Sequence, residues 1–254
     1  MKAISATILT YNEEARIEEC LKSLAGVAEE IIVVDSFSTD RTVDICREYG
    51  CHVTQRHLKG FGAQRQYATS LTTHSYVLSI DADEVLSPRL AQSIIKLKEE
   101  GFTHRIYAMS RLNFYCGRPV HHCGWYPDVQ IRLFDKRYAN GNLRDVAERV
   151  IFRDSVRPCI IDGDILHYRC DTPTEYTRKE RTHADMRANV LAASRTRITS
   201  VSPLIHGVRE FMHCYITKQG ISDGLTGLAI ASEKYRCARI AWSKARALRK
   251  KNDR

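Results

Sequence analysis

The stretch Val77-Leu78-Ser79-Ile80-Asp81-Ala82-Asp83-Glu84 constrains this chain more than any other. A short apolar run with β-forming character passes directly into three carboxylates within four positions. A buried strand looks like this when it ends where concentrated negative charge is needed. Carboxylates this close repel unless cations sit among them. Asp81 and Asp83 stand two residues apart, so on a turn both can converge on one hard divalent cation, which takes oxygen ligands and shares them with substrate phosphates. The same letters also describe a solvated acidic turn, and an isolated Asp-x-Asp does not separate the two.

The neighbouring segments supply context. Ile4-Ser5-Ala6-Thr7-Ile8-Leu9 is strand-like and ends at Thr10-Tyr11-Asn12-Glu13-Glu14; a helix is expected from Glu13 to Leu24, with Ile17, Cys20, Leu21 and Leu24 at helical spacing and Gly26 closing it. Ile31-Ile32-Val33-Val34 is the continuous β-branched run of a strand covered on both faces, and it ends at Asp35-Ser36-Phe37-Ser38-Thr39-Asp40. Thr39 or Asp40 is placed to cap a second helix that reaches about Tyr49, and Cys51 to Thr54 reads as a third strand. This β-α-β-α-β order predicts a parallel sheet with right-handed crossovers, whose ligands bind beyond the carboxyl ends of the strands. The polar clusters at 10–14, 35–40 and 81–84 all fall at such ends. No Gly-x-Gly-x-x-Gly follows the first strand, and Gly60-Phe61-Gly62 follows no convincing strand, so a dinucleotide fingerprint is not supported.

Gln64 to Leu71 and the segment after Pro88 read as helices; 105–134 reads as mixed strand, with further strands near Val150 to Phe152, Cys159 to Ile161 and Ile165 to Tyr168. From Thr174 onward the pattern is helical only. Ile205, Val208, Met212 and Tyr215 form one stripe; Leu225, Leu228, Tyr235, Ala238 and Trp242 form another after a break at Gly220 to Gly224. The expected organisation is one α/β domain over 1–170, with two halves over about 1–100 and about 101–170. A helical region with a basic tail would then occupy 171–254.

At 254 residues and 43% hydrophobic content the chain can bury a large core. The nine cysteines form no tight framework, and Cys116 to Cys123 with His121 and His122 fits no standard zinc spacing. No run approaches the roughly 20 apolar residues of a membrane span, and no secretion-type signal precedes Asn12, so a cytoplasmic protein is expected. The net charge of +9 points to an anionic partner. Eight Lys or Arg against one acid lie between Arg236 and Arg254, which suits an anionic membrane surface touched by the C-terminal basic helices. A nucleic-acid binder would interleave aromatic and basic residues on one surface. Here the aromatics cluster at Phe114 to Tyr126, away from the tail, and no nucleic-acid partner is expected.

With the Thr-x-Asn-Glu-Glu turn, the Val-Val-Asp-Ser-x-Ser-x-Asp turn and the Asp-Ala-Asp-Glu box in this order, the chain resembles a family 2 inverting glycosyltransferase of GT-A fold: an α/β protein with a mixed, mostly parallel sheet and a helical C-terminal appendage. Gly124-Trp125-Tyr126-Pro127-Asp128 followed by Arg132-Leu133-Phe134, and Lys218-Gln219-Gly220 with Asp223-Gly224 and Gly227-Leu228, are similar to lipopolysaccharide-core transferases that add a β-linked glucose to heptose. The chain departs from that pattern at Ala147-Glu148, where many relatives have His-Glu. A polyprenyl-phosphate sugar transferase and a non-catalytic nucleotide-sugar sensor are the neighbouring readings.

The resemblance implies the following roles. Thr10, Tyr11, Asn12 and Glu13 would line the nucleoside, with Asp35 accepting from base or sugar, although Asn12 and Glu13 also suit a helix cap and first-turn acid. Asp83 would bind Mg²⁺ or Mn²⁺, Asp81 the ribose or the metal through water, and His167 would be a further metal ligand. Arg65 would add positive charge near the phosphates. An inverting transfer needs a carboxylate that takes the acceptor's proton across the sugar from the diphosphate, and Asp128 fits that place. Trp125 and Tyr126 would offer flat faces to a sugar ring or serve as core aromatics. Arg132 would contact an acceptor phosphate or hold Asp128 ionised, and Glu148 would lie on the acceptor side. The expected donor is UDP-glucose, and the expected acceptor is a lipopolysaccharide core or another lipid-linked sugar.

Overall fold

The structure is a computed structural model that describes residues 2–138 and 157–252. Glu148 and the strand expected near Val150 to Phe152 lie outside the described residues. The described chain divides into two units: residues 1–111 with 128–167, and residues 112–127 with 168–254. Residues 112–127 therefore group with the C-terminal helices and not with the rest of the expected 101–170 half. Their aromatic residues pack on helical ones, as Tyr115 and Trp125 do on Tyr176.

In the first unit, strand β1 (Ile4–Thr10) runs parallel to β2 (Glu30–Asp35) and to β4 (Tyr76–Asp81), and β3 (His52–Gln55) runs parallel to β2. Ile4, Ala6 and Ile8 bury one face of β1 while Ser5 and Thr7 are buried on the other, as in a strand covered by helices on both sides. The registers align the carboxyl ends: Thr10 lies opposite Asp35, Leu9 opposite Asp81, and Asp35 opposite Gln55. The three acidic or polar clusters thus share one rim. The crossover helices are α1 (Ile17–Ser23), α2 (Thr42–Glu48) and α3 (Phe61–Ser70). Helix α1 starts later than its sequence pattern suggested, because Glu13 and Glu14 are taken up by a turn closed by Arg16 and Ile17 N–H on Glu13 O.

Beyond β4 the sheet becomes antiparallel. The short β5 (Glu84–Leu86) leads to α4 (Pro88–Glu100), where Ser87 accepts from Leu90 N–H and Pro88 occupies the first turn. Strand β6 (Ile106–Tyr115) pairs with β8 (Asp128–Asp135), and β8 also pairs with β4. The segment read as two short strands is a single β9 (Cys159–Cys170), whose residues 165–167 pair with β5. Ile4, Ile8, Leu78, Ile80, Leu90, Ile94 and Tyr107 form the centre of this unit's core.

In the second unit, the two-residue β7 (Arg118–Pro119) folds back on the end of β6. The helices are α5 (Pro173–Ala193), α6 (Ser202–Met212) and α7 (Gly224–Asn252); a π-helical turn at His213–Thr217 and a 3-10 turn at Gly220–Asp223 join the last two. Gly227 allows α7 to start against that turn, since a Cβ there would stand 1.8 Å from Gly220 O. Among the described residues, no helix is long and apolar enough to cross a membrane.

Candidate active site

The strand ends at the rim open onto a cavity of about 670 Å³ in the first unit, walled by Thr10, Tyr11, Glu13, Ser36, Gln64, Arg65, Asp81, Asp83, Arg111 and His167, with Leu58 and Phe61 as apolar surface. Tyr11, Leu58 and Phe61 are each about half exposed, an unfavourable arrangement for large apolar groups unless something flat covers them. Three of the lining residues leave a buried polar atom without a protein partner among the described residues: Thr10 Oγ1, Gln64 Oε1 and Arg65 Nε. Native structures rarely orphan buried polar atoms, and three of those found among the described residues belong to this one wall.

Asn12 and Asp35 shape this wall without lining it. Asn12 adopts φ 54°, which Asn tolerates. Its N–H donates to Ser38 Oγ at 2.8 Å while its Oδ1 accepts from Thr39 N–H at 2.8 Å, so it clamps the first loop to the second. Asp35 is fully buried and accepts from Ser38 N–H at 2.9 Å, from Ser38 Oγ and from Gln55 Nε2 at 3.0 Å. The structure thus gives both residues loop-holding contacts. Glu13 remains in the wall, its N–H donating to Thr42 Oγ1 at 2.8 Å, and Asp40, which precedes the N-cap residue Arg41 and so is not itself the expected cap, accepts from Thr42 N–H at 3.0 Å.

Below the rim runs an alternating row of charge. Arg65 donates to Asp81 at 2.7 and 2.9 Å, Asp81 accepts from Arg132 at 3.0 Å, and Arg132 donates to Glu84 at 2.6 Å. Glu84 accepts from Arg111 at 3.0 Å, and Arg111 reaches Asp128 through Nε at 2.8 Å and Nη2 at 2.7 Å. Three guanidinium groups and three carboxylates alternate along it. Glu84 is fully buried, and the side chains of Arg65 and Arg132 are 6% and 7% exposed. Burial acts to raise the Asp81 carboxyl, but Arg65 and Arg132 outweigh it and hold Asp81 well below the usual carboxylate range. For Arg132, burial works against the charge, but Glu84 and Asp81 prevail and keep the guanidinium cationic.

This row revises three sequence expectations. Both oxygens of Asp81 are engaged by arginines, so its first role is as an ion partner. Arg132 pairs with Asp81 and Glu84, not with Asp128, and it is buried below the cavity wall. The partner of Asp128 is Arg111, which sequence reasoning did not single out. The antiparallel register of β6 and β8 sets Arg111 opposite Asp128. Asp128 itself does not line the cavity; Arg111 does, and it links the two. Gln130 Nε2 also donates to Asp128.

Asp83 and His167 meet in the cavity wall, with Oδ2 and Nε2 3.3 Å apart. The cause is local: β5 pairs antiparallel with β9 so that Glu84 faces His167, which brings the residue before Glu84 beside the imidazole. One carboxylate and one imidazole at the edge of a cavity suit a divalent cation that draws its remaining ligands from phosphate and water. Among the described residues no cluster of three or more such ligands occurs, so the donor set fits a shared cation and not an all-protein cage.

Trp125 and Tyr126 belong to the second unit. Trp125 is buried in that unit's core against Tyr176, with the Arg169 guanidinium 5.1 Å from its ring, so it serves as a core aromatic and not as a platform for a sugar. Tyr126 is half-buried with its ring edge-on to His121 and precedes a cis Pro127.

Comparison with known proteins gives the site its context. An uncharacterized glycosyltransferase of Rickettsia typhi is 27% identical over 243 residues, spanning 89% of this chain and 81% of its own. A lipopolysaccharide core biosynthesis glycosyltransferase of Rhizobium meliloti, LpsC, is 24% identical over 245 residues, or 90% of this chain and 88% of its own. Among solved structures, glucosyl-3-phosphoglycerate synthase of Mycobacterium tuberculosis, in complex with Mn²⁺, UDP and glucosyl-3-phosphoglycerate, superposes with a TM-score of 0.37 at 24% identity, covering 44% of each chain. The model of the family described as Glycosyl transferase family 2 matches residues 5–157, more than half of the sequence. With the α/β architecture expected of a GT-A protein in place, the chain belongs to glycosyl transferase family 2.

Proposed function

We propose that the protein transfers a hexose, with inversion, from a nucleoside diphosphate sugar to a lipid-carried acceptor of the lipopolysaccharide-core type, the donor being UDP-glucose. The observation that carries this reading is the cavity's division of labour. Apolar surface from Tyr11, Leu58 and Phe61, with the unpartnered Thr10 and Gln64 atoms, suits a base and ribose. Arg65 Nε and the Asp83–His167 pair suit a diphosphate. Support for the acceptor class comes from the likeness to LpsC over 90% of the chain.

In this reading Arg65 holds the donor diphosphate while Asp83 and His167 would hold Mg²⁺ or Mn²⁺. Bound there, the cation neutralises charge on the departing diphosphate. Asp128, held in place by Arg111 Nε at 2.8 Å, takes the proton of the acceptor hydroxyl. The hydroxyl oxygen forms the new bond to the anomeric carbon, the bond from that carbon to the diphosphate oxygen breaks, and the nucleoside diphosphate leaves from the opposite face. Configuration at the anomeric carbon inverts in one displacement.

The test is calorimetric titration of UDP and UDP-glucose with and without Mn²⁺. Tight binding should require the cation and should weaken by at least tenfold, about 1.4 kcal/mol, in Asp83→Ala. Equal affinity with and without Mn²⁺, in wild type and variant alike, refutes the assignment of this pair.

A further inference from the structure

Helix α6 is turned the wrong way round for a helix exposed to water. Val201, just ahead of it, and Leu204, Ile205, Val208 and Met212 are each 47–57% exposed. At 3.6 residues per turn these five fall within an arc of about 100°. The opposite face carries Ser202, Pro203 and Gly207, which are buried. A Cβ at Gly207 would stand 2.8 Å from Arg239 Cγ and 3.0 Å from the Tyr235 ring, so α7 is packed against the small-residue side. A surface helix normally buries its apolar stripe; here the stripe faces outward. Exposed Ile216, Ile221 and Leu225 extend it through the two turns that follow.

The charge around the stripe has one sign. Of the residues from 195 to 228, Arg195, Arg197, Arg209 and Lys218 are exposed cations. The two acids in that span are engaged: Glu210 with Arg187 at 3.1 Å, and Asp223 with the backbone N–H groups of His121 and His122 and the His122 ring. The helical unit as a whole holds 19 Lys and Arg against 8 Asp and Glu, a net +11, whereas the other unit holds 20 against 22, a net −2. All of the chain's excess positive charge therefore lies in the unit that exposes the apolar stripe.

We propose that the α6 stripe is a membrane-docking surface whose partner is an anionic phospholipid bilayer, with Leu204, Ile205, Val208 and Met212 entering the acyl boundary and the flanking cations meeting the headgroups. This deepens the reading of a lipid-carried acceptor, and it places the contact on α6 and the following turns and not on the basic end of α7.

The test is co-sedimentation of the full chain with vesicles of phosphatidylcholine alone and with added phosphatidylglycerol, free of any acceptor or nucleotide. The wild type should partition to the anionic vesicles. Ile205→Ser/Val208→Ser should weaken that partition by about tenfold or more, and Arg209→Gln by roughly fivefold on anionic vesicles alone. Tryptophan emission from Val208→Trp should shift to the blue on anionic vesicles. Absence of wild-type binding, undiminished binding of the double serine variant, or unshifted emission overturns the proposal. So does a dimer in sedimentation velocity that the double variant splits, since the stripe would then belong to a second copy. Nucleotide titration without lipid should be unchanged in these variants; its failure in the wild type would count against the glycosyl-transfer reading and leave the vesicle result standing.

Discussion

Replacing Arg132 by Met isolates the contribution of the buried row of charge. Arg132 holds Asp81 at 3.0 Å and Glu84 at 2.6 Å, and its side chain is 7% exposed. Methionine fills much of the volume and removes the charge, leaving the row with two guanidinium groups for three carboxylates. Removing one partner of a buried pair costs about 3–5 kcal/mol. Asp81 keeps Arg65, and Glu84 keeps Arg111 and the Asp81 N–H at 3.0 Å, so the low end, about 3 kcal/mol, is expected. In a chain of this size that corresponds to a melting point lower by roughly 6–12 °C. The loss should depend on pH. The Asp81 carboxyl is depressed because Arg65 and Arg132 outweigh burial, so it contributes stability that is present above the ordinary Asp value near 4 and lost as pH falls through the folded value. Without Arg132 the folded value rises, so the gap between wild type and variant should hold from pH 7 down to the ordinary Asp value near 4 and narrow only below it, as pH falls through the folded values. Urea unfolding at pH 7, at pH 4 and at about pH 3 measures it. A gap under about 1 kcal/mol at pH 7, or one that does not narrow below pH 4, would falsify the account of Arg132 as the central link.

The remaining predictions concern turnover. Asp128→Asn should lower kcat by about 10²–10⁴, the usual worth of a general base, while calorimetric UDP affinity stays within twofold of wild type, roughly 0.4 kcal/mol; undiminished turnover removes Asp128 from the mechanism. Arg111→Met leaves the base in place without its anchor, so kcat should fall by about ten- to a hundredfold with KM for the nucleotide sugar nearly unchanged. A change in KM alone would instead make Arg111 a donor-binding residue.

Much of the rim was legible because it is written locally. Ile31 to Val34 and Val77 to Ile80 declare buried strands, and the acids that follow declare where those strands stop. Parallel pairing then brings Thr10, Asp35 and Asp81 together without further information. What could not be read depends on register between distant strands. Arg111 meets Asp128 only because β6 and β8 pair where they do, and a slip of one residue would turn the arginine to the other face. One signal was present. Asp128, Gln130 and Arg132 alternate along β8 and so share a face. Four residues of strand also separate Asp128 from Arg132 by about 13 Å, too far for Arg132 to serve Asp128 directly, which sends it to Asp81 and Glu84 instead. Trp125 was ambiguous for a different reason: an aromatic looks the same in sequence whether it covers a sugar or fills a core, and its burial against Tyr176 decides the matter.

The row's electrical balance bears on the transfer itself. At rest its three cations and three anions cancel, which lets six charged side chains lie below the surface without a net field. In the proposed reaction Asp128 gains a proton, so the row passes from neutral to a net +1 at the moment when the nucleoside diphosphate in the cavity gains negative charge. Arg65, which lines that cavity and keeps Nε unpartnered, is the member of the row from which the added positive potential reaches the leaving group. At an effective dielectric near 20, unit charges about 10 Å apart interact by roughly 1.7 kcal/mol, a bit more than tenfold in rate. In that reading, proton uptake by Asp128 and departure of the diphosphate would favour each other through fixed charges, with no side chain having to move between them.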